Sequence, residues 1–133
     1  MISVKIISFS YVRGLPKDFG EDGDRFVFDC RLLPDPYWDE SLCTYTGRDE
    51  PVRAFMDAHA DEVAAFLRPI EEQLRNVLAA GAESGRERLH VAFGCTGGQH
   101  RSVYCAETVA ERLRGLSGVE VSVDHTAREY WET

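Results

Sequence analysis

Val91-Ala92-Phe93-Gly94-Cys95-Thr96-Gly97-Gly98-Gln99-His100-Arg101-Ser102 reads as an apolar strand that passes through a glycine-rich turn into a helix. The first four N–H groups of a helix have no partner within it, and the macrodipole adds roughly half a positive charge at that end. Gly97 and Gly98 carry no Cβ to hold a ligand away from such amides. Thr96, His100, Arg101 and Ser102 add side-chain donors, so the turn is suited to a phosphate or sulfate.

The flanking sequence supplies the rest of an α/β pattern. The β-branched run Met1 to Phe9 predicts a first strand, and the glycine- and proline-bearing Arg13 to Asp24 predicts a loop. Phe26-Val27-Phe28 predicts a second, buried strand over Arg25 to Cys30. Pro34 and Pro36 then exclude helix and ladder alike, and residues 41 to 48 read as irregular. Asp49 with Pro51 marks the start of a short helix ending near His59. Val63, Phe66, Leu67, Ile70, Leu74, Val77 and Leu78 form the apolar stripe of a longer helix, which Pro69 is expected to bend or split and which should stop by Gly81 to Gly85. A third strand over Arg88 to Gly94 and a helix over Gln99 to Leu113, with Val103, Ala106, Val109, Ala110 and Leu113 inward, follow. Val119, Val121 and Val123 alternate with polar residues as an edge strand, and His125 to Thr133 is a short tail. Strands alternating with helices predict an α/β fold, one layered domain over residues 1–133 with a mostly parallel sheet of about four strands flanked by helices.

Composition narrows the function classes. Fifteen basic against 23 acidic residues give a net charge of −8, which opposes binding to nucleic acid or an anionic membrane through a general field. No apolar run approaches a membrane span and no signal peptide is visible at Met1 to Ser10, so a cytoplasmic protein without a membrane partner is expected. Cys30, Cys43, Cys95 and Cys105 form no C-x-x-C pair, and the histidines show no ligand spacing, so neither a metal nor a disulfide framework is expected. Without a Walker A loop or a dinucleotide fingerprint, no nucleotide cofactor is expected either.

Open parallel sheets take ligands beyond the carboxyl ends of their strands. Two such ends carry chemistry here, the turn Cys95 to Ser102 and the exit of the second strand at Asp29 and Arg31. If the strands are neighbours, Arg31 and Arg101 could grip one anion from two sides. Asp29 reads equally well as a partner of Arg31 or as a general acid. Tyr37 is a candidate pocket wall, and the Thr46-Gly47 loop a candidate cover.

The stretch from Gly94 to Val103 closely resembles the signature of the C-terminal domain of the RNase adapter protein RapZ, a family also called nucleotide-binding proteins. Ser8 to Pro16, Val27 to Trp38 and Tyr45 to Val52 stand in the order that family shows. The resemblance implies an α/β domain that oligomerises and binds glucosamine-6-phosphate, and in enterobacteria also a small RNA and RNase E. It maps a ligand pocket onto Arg31, Tyr37, Thr46, Gly47, Cys95, Thr96, Gly97, Gly98, Gln99, His100, Arg101 and Ser102. The family's N-terminal kinase-like domain with its P-loop is not in these 133 residues, so the resemblance is to the C-terminal domain standing alone. Tyr37 stands where some members have histidine, Cys43 where arginine is frequent, and Gln99 where lysine occurs. The tail lacks the basic cluster of the RNA-binding members, which with the net charge of −8 argues against RNA as a partner.

The expected function is therefore a non-catalytic sensor or adapter for a phosphorylated amino sugar, forming a homo-oligomer and acting on a protein partner. The competing reading is an enzyme. Cys95-x5-Arg101 with Gly98 and Ser102 has the spacing of the cysteine-dependent phosphatases, in which a helix N-terminus and an arginine prepare a thiolate, and Asp29, Asp35 or Asp39 would be the acid. Gly94 departs from the histidine those enzymes usually have, and Cys95 is expected to be a pocket residue.

Overall fold

The computed structural model describes residues 1–133. Four strands, β1 (Ile2–Ser10), β2 (Asp24–Asp29), β3 (Arg88–Cys95) and β4 (Val119–His125), form one sheet in the order β2-β3-β1-β4. All three pairings are parallel, so the α/β expectation holds. Three helices connect them, α1 (Glu50–Ala58), α2 (Ala60–Ser84) and α3 (Arg101–Arg114). Short 3-10 turns lie at Pro36–Trp38, Glu40–Leu42 and Arg128–Tyr130.

Period-2 alternation sorts the strand residues onto two unlike faces. Ile2, Val4, Ile6, Leu89, Val91 and Phe93 belong to the main core with Leu67, Leu74, Val109 and Leu113 of the helices, and Val119, Val121 and Val123 pack against it. The opposite face carries exposed Lys5, Arg25, Arg88, Glu120 and Asp124, with a small satellite cluster of Ile7, Phe9, Phe19 and Ala92. All three helices thus cover one face, and the other is shielded in part by the loop that bears Phe19. Each fully buried aliphatic side chain of α3, such as Val103, Val109 and Leu113, contributes about 1.5–3 kcal/mol.

Two expectations need correction. β2 is an edge strand rather than a buried one: Val27 is 47% exposed, because only its Phe26 and Phe28 side meets the core. Of the two outcomes expected of Pro69, a bend or a split, the split does not occur: the helix runs unbroken from Ala60 to Ser84. Pro69 and Ala65 lie on the exposed side, so water can meet the Ala65 carbonyl that proline leaves without a donor. The helix ends at Gly85, at φ 74°, within the expected segment.

Candidate functional site

The register brings the carboxyl ends of all four strands to one edge. Ser10 lies opposite Cys95, Asp29 opposite Gly94, and Ser8 opposite His125. Above this edge opens a cleft of about 490 Å³ whose floor is the turn from Cys95 to Arg101. Val12, Arg13, Asp35, Tyr37, Trp38, Tyr130 and Glu132 supply its walls. A larger hollow of about 580 Å³ lies at the opposite end of the sheet, around Ile2, Leu78 and Leu116, away from the turn.

The turn is held from three directions. Tyr11 N–H donates to the Cys95 carbonyl at 2.9 Å and Ser10 Oγ to the Thr96 carbonyl at 2.7 Å, which welds the β1 exit to it. Gly98 sits at φ 68°, where an L side chain is strained, and a Cβ there would meet Ala127 and the backbone at Phe9 and Ser10. Its carbonyl accepts from Trp131 Nε1 at 2.8 Å. Gln99, buried at 7% exposure, donates from Nε2 to the carbonyls of Cys43, Tyr45 and Glu132, while its Oε1 accepts from the Glu132 N–H.

The consequence for the backbone is specific. None of the N–H groups of Thr96, Gly97, Gly98, Gln99, His100 and Arg101 donates to a protein acceptor. Two side chains share that condition: His100 and Arg101 are each only 6% exposed, yet His100 Nε2 and Arg101 Nε are buried without partners. Native proteins pair nearly all buried polar groups, so the unpartnered His100 Nε2 and Arg101 Nε beside this cleft mark a place prepared for a further partner. Burial pushes the His100 imidazole below its ordinary range, leaving it neutral near pH 7. The rest of the Arg101 guanidinium is committed, Nη1 to the carbonyls of Arg31 and Leu33 at 2.8 and 3.2 Å and Nη2 to Asp35 at 3.2 Å.

Of the sequence-predicted residues, Tyr37, Cys95, Thr96, Gly97, Gln99, His100 and Arg101 line the cleft together. Gly98 and Ser102 lie behind its floor, where Cys95 Sγ donates to Ser102 Oγ at 3.1 Å and accepts from its N–H at 3.4 Å. Arg31 is not brought in. Its guanidinium clasps Asp29 through both carboxylate oxygens and stacks 3.8 Å from the Tyr11 ring centre, so the two-arginine grip with Arg101 does not form. The Arg31 pairing also holds the Asp29 carboxyl below its usual range. Thr46 and Gly47 lie outside the cleft as well. Gly47 donates to the Gln99 carbonyl at 2.9 Å, and its missing Cβ lets the loop lie against His100 and Tyr104, so the pair buttresses the turn from behind. The reading of single residues missed Ser10, Arg13, Tyr130 and Glu132; Ser10 and Arg13 lie within the family-like stretch Ser8 to Pro16 that carried the available signal.

Fold and cleft together define an α/β domain whose polar cleft stands at the carboxyl ends of a parallel sheet, the place where such sheets take ligands. More narrowly, the chain belongs to the RapZ C-terminal domain family, which it matches over residues 2–129. A curated nucleotide-binding protein of Xylella fastidiosa (strain 9a5c) is 43% identical over 128 residues, 96% of this chain and 42% of that protein. One from Ruegeria pomeroyi is 41% identical over 129 residues, 97% of this chain and 43% of the relative. One from Halorhodospira halophila is 43% identical over 121 residues, 90% and 40% respectively. The chain spans about two fifths of the length of these relatives. No helix is long and apolar enough to cross a membrane.

Proposed function

We propose that this chain is a sensing or adapter domain of the cytoplasm that binds a phosphorylated amino sugar of the glucosamine-6-phosphate kind and relays its level to a protein partner. The observation that carries the reading is the pair of buried, unpartnered atoms His100 Nε2 and Arg101 Nε beside the cleft-lining residues Thr96, Gly97, Gln99, His100 and Arg101, whose N–H groups donate to no protein acceptor. Phosphate oxygens would accept from these donors, and the Asp35 and Glu132 carboxylates that line the same cleft would face an ammonium group. Tyr37 and Trp38 form an apolar wall for a sugar ring. Arg31, Thr46 and Gly47 serve by fixing the surrounding backbone. Family membership and the relatives' printed name, nucleotide-binding protein, support a small-ligand role; a homo-oligomer is part of the same reading.

Calorimetric titration tests it. Wild type should bind glucosamine-6-phosphate more tightly than glucose-6-phosphate, and His100→Ala should weaken both. Silence at millimolar ligand, or unchanged binding by His100→Ala, would sink the sensor. A cysteine-dependent phosphatase is the second reading, favoured by the Cys95 thiol lying on the Ser102 N–H at the start of α3. It requires turnover of an aryl phosphate that vanishes in Cys95→Ser, whereas the sensor reading expects none from wild type.

A further inference from the structure

Arg13 is the cleft's uncommitted cation. Arg101 spends its Nη atoms on two carbonyls and Asp35, and Arg31 lies outside on Asp29. Arg13 lines the same cleft as the turn and forms no salt bridge with a carboxylate. It is nevertheless held in place. Its N–H and that of Val12 donate to Ser10 Oγ at 3.2 and 3.1 Å, and the same hydroxyl donates to the Thr96 carbonyl, so the peptide bearing Arg13 is keyed to the anion turn. At its far end the guanidinium lies 3.8 Å from the centre of the Tyr130 ring. That contact leaves the planar edge of the guanidinium, with its N–H donors, free to meet oxygens in the cleft. Tyr130 is itself placed by Trp131 on the Gly98 carbonyl and by the two-point pairing of Glu132 with Gln99.

We propose that Arg13 is a direct anion-binding residue, closing on the ligand opposite the Thr96–Arg101 amides, and that Tyr130 is the positioning residue that aims it. The inference rests on the reading of the turn as an anion site. It makes Tyr130 part of the binding machinery through Arg13 rather than through the ligand: seating Tyr130 orders Arg13, and an anion drawn to Arg13 favours that seating in return.

The test is a double-mutant cycle read by calorimetry, with glucosamine-6-phosphate and inorganic phosphate as probes. Arg13 is exposed, so Arg13→Ala should fold as wild type does and weaken both probes about tenfold or more. Tyr130→Ala should weaken them about three- to tenfold in the wild-type background and not at all in Arg13→Ala. Tyr130→Phe, which keeps the ring, should bind as wild type. If wild type binds and Arg13→Ala binds equally, or Tyr130→Ala costs the same factor with and without Arg13, the proposal is overturned while the anion site stands. Failure of wild type to bind either probe overturns both.

Discussion

Two arginines leave strand ends of the same sheet edge, and their surroundings give them opposite work. Arg31 follows β2 and finds Asp29 two residues behind it, at 2.7 Å, so its charge is spent on shaping a loop. Arg13 follows β1, where the residue at the equivalent offset is Tyr11; it forms no salt bridge and lies on Tyr130. Both are arginines just past the carboxyl end of a strand. What differs is the residue two positions behind, Asp29 in one case and Tyr11 in the other, and this decides which guanidinium keeps donors for a ligand.

Substitutions in the turn itself should have the largest effects. Nothing lies within 4 Å of where a Gly97 Cβ would stand, so Gly97→Asp should fold normally while its carboxylate repels an anion at the cleft floor. Phosphosugar binding should drop at least about a hundredfold with the melting temperature unchanged. Gly98→Ala should do the reverse, destabilising the fold by about 1–3 kcal/mol in urea titration, because φ 68° and contacts on three sides oppose the methyl group. Acid titration gives a smaller effect. His100 and His125 are both held below their ordinary 6.5 by burial, so the unfolded chain binds protons first as pH falls. Stability should decline from about pH 6.5 downward through the folded-state values, with a shallower slope in His125→Asn. Asp29 and Asp22, both depressed by hydrogen-bonding partners, add their loss only below 3.8. Smallest of all, Arg31→Ala should change phosphosugar affinity by less than about threefold; a tenfold loss would put Arg31 back in the site and erase its contrast with Arg13.

The parallel strands, the stripe of α2 and the strand–turn–helix at residues 91 to 102 were legible because each depends on local periodicity or turn chemistry. The cleft was half legible for the same reason: its floor is one continuous segment. Its walls come from β1's exit, from Asp35, Tyr37 and Trp38 beyond β2, and from the tail; Ser10 to Thr96 and Gln99 to Glu132 join the first and last to the turn, and no local pattern announces such pairings. Arg31 misled for the converse reason. The condition set for the grip, that the two strands be neighbours, is met, but a bidentate pairing with Asp29 diverts a side chain without altering the sequence pattern around it. Pro69 and Val27 show that exposure, which only the assembled helices and strand order determine, settles what a proline or an apolar strand residue does.

Ser10, Thr96 and Glu132 meet at this cleft although 86 residues separate the first two and Gln99 stands 33 before the last. A metabolite bound there would clamp chain segments that unfolding must pull far apart. At a hundred times its dissociation constant it would add about 2.7 kcal/mol to the folded state. The concentration of such a metabolite would then govern how long the protein survives proteolysis, and the protein's abundance in the cell would become a readout of the binding event.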